Sequence, residues 1–145
     1  MTGGRGFGLP SLGALDGALG GVRVWLCTGR TDMRCGFDRL AGLAERATGR
    51  DPLSGHLFVF RNRRGDRLKI LYWDRDPGGF VLFYKRLESG VFRLPKLPAS
   101  DEPPRSVELK ASELAMLLDG IDLSSVKRSR RYTRGRRGRG ARSRG

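Results

Sequence analysis

The sequence predicts an α+β domain: an antiparallel β-meander with one amphipathic helix packed on a face and a short C-terminal helix. Three observations carry this. Four short runs of β-branched and aromatic residues between 56 and 94 are separated by tight-turn signals, and short turns between consecutive strands favour antiparallel pairing. Apolar residues Met33, Phe37, Leu40, Ala44 and Ala47 recur at spacings of four, three, four and three, the signature of one helical stripe. A leucine-rich segment near 114–118 precedes Gly120, a helix stop.

Taken in order, residues 1–21 form a Gly-rich leader with Pro10 and Ser11, where glycine raises the entropic cost of order. It is expected to be flexible and carries no signal-peptide pattern. Val22 to Cys27 reads as a strand, and Thr28-Gly29-Arg30 as a turn. Thr31 or Asp32 is the expected helix cap, with Gly49 and Pro52 closing the helix. His56–Arg61 and Arg67–Asp74 are strands joined by the turn Asn62-Arg63-Arg64-Gly65-Asp66, where Gly accepts a positive φ. In the second, Leu68, Ile70 and Tyr72 share one face and Lys69, Leu71 and Trp73 the other. Arg75 to Gly79 turns the chain into a strand over 80–87, and Glu88-Ser89-Gly90 leads to a fourth over 91–94. After a Pro-rich loop, Val107-Glu108-Leu109 reads as a short edge strand. Ala111–Asp119 reads as the last helix, with Leu114, Leu117 and Leu118 inward. The domain is expected over 22–123, flanked by the leader and by a disordered basic tail over 124–145.

Charge is the strongest compositional feature. The formal net charge is +14 for 145 residues. Lys127 to Gly145 holds one Lys, nine Arg and no acid, and the rest carries 19 basic against 15 acidic residues. A mildly basic body with a dense cationic tail calls for a polyanion, nucleic acid first. The tail reads either as a nonspecific clamp acting through counterion release or as the Arg/Gly product of GC-rich coding under little selection. No apolar run reaches the ~20 residues of a membrane helix, so a cytoplasmic protein without membrane contact is expected. Cys27 and Cys35 fit no metal pattern and are read as two unpaired thiols.

Catalysis is not expected. Most carboxylates sit at caps, helix faces or turns, where Asp has structural work. His56 is the single histidine, has no nucleophile in a recognisable setting, and reads as a strand-start residue with a local hydrogen bond. No phosphate loop is present, and no metal or other cofactor is implied. The candidate binding residues are instead cations. Arg61, Arg63, Arg64, Arg67 and Lys69 crowd the first meander turn, and Lys85 and Arg86, with Arg93, extend the set if the strands pair as drawn. A β-ribbon so charged reaches phosphates or a groove. The alternative is a solvated turn that guards a sheet edge. Trp73, Phe80, Phe83 and Tyr84 read as core rather than base-stacking platforms.

Specific strings then add a resemblance. Val22-Arg23-Val24-Trp25-Leu26-Cys27-Thr28-Gly29-Arg30-Thr31-Asp32-Met33-Arg34, with Gly36 to Leu40, resembles the opening signature of the insertion sequence 66 family accessory protein, the TnpB or second-open-reading-frame product. Asp51 to Asp66 is similar to its central signature, and Leu68–Asp74, Lys85–Glu88 and Leu114–Asp122 follow in order. The match spans about Val22 to Leu123. It implies a non-catalytic helper in DNA transposition beside a separate transposase of the same element; the basic turn over Arg61 to Lys69 adds DNA as an expected partner. It is distinct from the larger RNA-guided nuclease that shares the short name, which needs an acidic centre and zinc-binding cysteines. The rival reading is a pure protein-interaction subunit of the transposition complex that never touches DNA. The family's Thr-Pro helix start is replaced here by Lys110-Ala111, removing a cap worth ~1 kcal/mol.

Overall fold

The computed structural model describes residues 21–97 and 100–120. The expectations for residues 1–20 and for the tail beyond Gly120 lie outside these. Five strands form one sheet: β1 (Val24–Arg30), β2 (Leu57–Arg61), β3 (Arg67–Asp74), β4 (Gly79–Arg86) and β5 (Ser106–Leu109). Helix α1 (Phe37–Thr48) follows β1, and α2 (Ala111–Leu118) follows β5. The strand order is β4-β3-β2-β1-β5.

The α+β class and the antiparallel meander hold, with the meander running through β2, β3 and β4. The sheet then grows on its other side. β1 lies parallel to β2, with Trp25 beside Phe58, and β5 is antiparallel to β1. A parallel pair needs a long crossover, and the segment carrying α1 supplies it.

Both faces of the sheet are covered. On one, Val24, Leu26, Val59, Ile70 and Val107 pack with Leu114 and Leu117 of α2. On the other, Trp25, Phe58, Phe60 and Leu71 pack with Leu40 and Ala44 of α1. Burial on two faces explains why Leu57-Phe58-Val59-Phe60 is apolar at every position instead of alternating.

Three local expectations are corrected. Residues 28–30 do not turn but extend β1. The Thr28 N–H donates to the Arg105 carbonyl (2.9 Å) and the Thr31 N–H to the Arg61 carbonyl (2.8 Å), so neighbours on both sides hold the chain extended. Helix α1 starts at Phe37 with Gly36 as an extended N-cap, not at Thr31 or Asp32. The Asp32 carboxylate is taken by Arg34, whose backbone N–H (2.9 Å) and Nη2 (2.8 Å) both donate to it. Residues 91–94 form no strand. The Phe92 N–H donates to the Gly65 carbonyl (2.8 Å), so this segment crosses the end of the sheet instead of lengthening it.

The remaining ends behave as read. Gly49 takes a left-handed φ of 70° and its N–H bonds the Glu45 carbonyl at 2.8 Å. Lys110 has no acceptor with which to cap α2. Glu113 still completes half of a capping box, its Oε1 accepting from the Lys110 N–H at 2.7 Å. This offsets part of the loss of the Thr-Pro start.

Candidate nucleic-acid or partner interface

The β2–β3 turn is rigid below and cationic above. Asn62 organises it: its Oδ1 accepts from the N–H groups of Gly65 (2.9 Å) and Arg67 (3.0 Å), while its Nδ2 donates to Asp66 Oδ1 (2.7 Å). Gly65 sits at φ 80°, a conformation that costs a side-chain-bearing residue ~1–2 kcal/mol. Two further bonds pin the turn to the neighbouring chain, from the Leu87 N–H to the Asp66 carbonyl and from the Phe92 N–H to the Gly65 carbonyl, each 2.8 Å. The Asp66 carboxyl is held below its usual range, first by the Asn62 hydrogen bond, with Arg64 and Arg67 adding to it. Arg63 and Arg64 project from this frame and are exposed.

The other predicted cations separate into distinct roles. Arg67 and Arg86 are directly opposite each other in the β3–β4 register, and Arg67 Nη1 donates to the Tyr84 hydroxyl at 3.2 Å. Like charges so placed repel, and an anion between or above them would relieve it. Arg61 is half-buried. Its Nη2 donates to the Thr28 carbonyl at 2.9 Å, and its Nε is enclosed without a hydrogen-bond partner. Burial, then the neighbouring Arg30 charge, pushes its pKa down. It borders a cavity of about 330 Å³ that Leu26, Thr28, Phe92, Arg93 and Leu94 also line.

Lys69 and Lys85 are bound to the protein itself. Lys69 is 6% exposed. Its Nζ donates to the carbonyls of Met33 (2.6 Å) and Cys35 (2.9 Å) and lies 4.7 Å from the Tyr84 ring centre. Lys85 Nζ donates to the Leu118 carbonyl at 2.6 Å, where a cation complements the C-terminal end of α2. The two lysines also lie on opposite faces, since Lys85 pairs with Leu68 and Lys69 with Tyr84.

Sequence reasoning missed two contributors. Because β1 is parallel to β2, Arg30 falls beside Arg61 and brings an exposed guanidinium to the same end of the sheet. The start of β5 reaches that end too, bringing exposed Arg105. The parallel pairing was the missing signal, for no local pattern announces it. The surface that results is one end of the sheet, carrying Arg30, Arg63, Arg64, Arg67, Arg86 and Arg105.

The remaining groups are quiet. His56 Nδ1 accepts from the Arg23 N–H at 3.0 Å, the local bond expected. Its pKa is lowered, first by burial and then by Arg50 and Arg23. Cys27 and Cys35 are both free thiols, and burial pushes Cys27 up to about 12. Among the described residues no group of three His, Cys, Asp or Glu side chains is arranged to hold a metal ion. No helix among them is long and apolar enough to cross a membrane.

Known proteins share this arrangement of sequence. Residues 22–128 match the family described as IS66 Orf2 like protein. The chain is 43% identical over 101 residues to Uncharacterized protein y4hO of Sinorhizobium fredii (strain NBRC 101917 / NGR234), covering 70% of this chain and 82% of that one. It is 38% identical over 108 residues to Uncharacterized protein y4jC of the same strain, covering 74% and 86%. No solved structure matches. The chain therefore belongs to the IS66 Orf2-like family, whose role lies in the transposition of IS66 elements.

Proposed function

We propose that the chain is a non-catalytic, cytoplasmic accessory factor that grips DNA through the arginine-bearing end of its sheet while a separate transposase performs the strand chemistry. The observation that carries this reading is the β2–β3 turn. Its backbone is fixed by Asn62 and by bonds from Leu87 and Phe92, yet Arg63 and Arg64 are left to solvent. A rigid turn presenting guanidinium groups pays little ordering entropy when it meets phosphate. Arg67 and Arg86, side by side without a carboxylate between them in the register, add local repulsion that a phosphate relieves. Such contacts position a protein on DNA without reading its sequence. The Arg-rich segment over 127–145 adds affinity of the same kind.

The double substitution Arg63→Ala, Arg64→Ala tests this. Both side chains are outside the core, so stability should change by no more than ~0.5 kcal/mol. DNA affinity should fall, and the slope of log K against log salt should shrink by about one unit per lost phosphate contact. Unchanged DNA binding with lost transposase binding would establish the protein-interaction reading instead. Unchanged binding to both would leave the turn as solvated surface.

A further inference from the structure

The two edges of the sheet are unlike. β5 is four residues long and follows Pro103 and Pro104, which makes a short, blunted edge. β4 has eight residues, holds an unbroken register with β3 from Gly79 to Arg86, and contains no proline. Its middle, Val81-Leu82-Phe83-Tyr84, is uncharged, and Tyr84 is 47% exposed. Natural edges of this length usually carry a charge at their centre or a bulge. Here the cations are displaced to one end, and Lys85 is committed to the Leu118 carbonyl.

The direction of the peptide groups follows from one bond. The Leu87 N–H donates to the Asp66 carbonyl, which fixes the phase of the β3–β4 ladder. Bonding alternates along an antiparallel strand. Val81, Phe83 and Lys85 therefore turn their peptide groups to β3, and Phe80, Leu82, Tyr84 and Arg86 turn theirs to the open edge.

We propose that this edge pairs with the same edge of a second copy, antiparallel about a two-fold axis at Phe83, to give a dimer with one continuous ten-stranded sheet. The register is set by the strand itself. With Phe83 opposite Phe83, Leu82 meets Tyr84 and Phe80 meets Arg86, so every outward-turned residue of β4 finds an outward-turned partner. A two-residue shift to Leu82 sets Arg86 against Gly78, which lies outside the strand at φ 113°.

The side chains are complementary in that register. The exposed Arg86 lands at the part-buried Phe80 of the second copy, against which its aliphatic stem can pack while the guanidinium stays in solvent. Val81 meets Lys85, whose charge is already occupied. Phe83 meets its own copy as an aromatic pair. No cation opposes a cation, whereas an in-register parallel pairing would bring the Arg86 ends together. This inference does not rest on DNA binding, and either can fail without the other.

Sedimentation of the full chain at high salt, across a range of concentrations, measures the mass. A concentration-dependent rise from 16.1 kDa towards twice that value is expected. Tyr84→Pro removes an outward N–H from each copy while leaving the β3 ladder intact. It should raise the dimer dissociation constant at least about ten-fold with the fold retained by circular dichroism. Should that variant unfold, cross-linking decides. In a Cys35→Ser background, Phe83→Cys should form an intermolecular disulfide under mild oxidation, because directly opposed residues without mutual hydrogen bonds bring their side chains close. Val81→Cys, opposed by Lys85, should not. A monomer at every concentration would overturn the proposal and leave the edge to a strand from a different protein. So would a folded Tyr84→Pro dimer of parental affinity, or Val81→Cys linking as readily as Phe83→Cys.

Discussion

Replacing Lys69 with Met separates a folding lysine from a binding one. Lys69 is 6% exposed, and its ammonium donates at 2.6 and 2.9 Å to the carbonyls of Met33 and Cys35. These two carbonyls sit in the segment between β1 and α1, so the lysine fastens the crossover to β3. Hydrogen bonds from a charged donor contribute about 1.5–3 kcal/mol each. Losing both also leaves the two carbonyls short of a donor. Against this, Met keeps the packing of the aliphatic stem and removes the dehydration cost of an ammonium. The net loss is roughly 2–4 kcal/mol of unfolding free energy. Urea unfolding followed by fluorescence of Trp25 and Trp73 reads it as a lower midpoint at unchanged m. Amide exchange should accelerate first around residues 33–35. DNA affinity, compared under conditions where both proteins are folded, should stay within about two-fold of the parent, since the charge faces inward. A loss below ~0.5 kcal/mol, or a fall in DNA affinity as large as that of the Arg63/Arg64 variant at equal stability, would refute the reasoning.

Two further outcomes follow from the titrating groups. His56 has a lowered pKa when folded, so the unfolded chain binds its proton first; stability should be full above about pH 6.5 and decline as pH falls through the range between the unfolded and folded values. His56→Asn should flatten that decline in urea midpoints measured from pH 7 to 5, and an unflattened profile would move the effect elsewhere. Cys27 is buried with its pKa pushed up to about 12, while Cys35 is part-exposed, so a thiol reagent at pH 8 should label Cys35 rapidly and Cys27 only after unfolding. Equal labelling of both in the native protein would contradict the packing around β1.

Local pattern made the meander legible because each of its turns is written in adjacent residues: Asn62 to Asp66, and Arg75 to Gly79. The inward leucines of α2 and the C-terminal stop of α1 at Gly49 were legible for the same reason. What local pattern lacks is any record of long-range partners. Thr28 to Arg30 contains turn-forming residues, yet carbonyls of Arg105 and Arg61 hold the chain extended there. Thr31 and Asp32 look like caps until Arg34 occupies the Asp32 carboxylate. The cations of the candidate surface show the same limit. Clustering in sequence found Arg63, Arg64 and Arg67, but Lys69, on the same face as Arg67 and two residues further along β3, is covered by the segment between β1 and α1 whose carbonyls it meets. Arg30 joined them only through a strand 31 positions away by register, Arg61.

The position of β1 has a bearing on synthesis. Its neighbours in the sheet are Phe58, opposite Trp25 on one side, and Glu108, opposite the same residue on the other. The first apolar strand of the domain to leave the ribosome therefore waits for most of the domain before its second flank is closed. During that interval the backbone of Val24 to Cys27 is an open template beside a large indole. Contacts so far apart in sequence slow folding, and an unpaired strand edge invites association between nascent chains. A reading frame interrupted before Ser106 would leave β1 permanently in that state. Interrupted copies should collect in the insoluble fraction, while chains carried past α2 remain in solution.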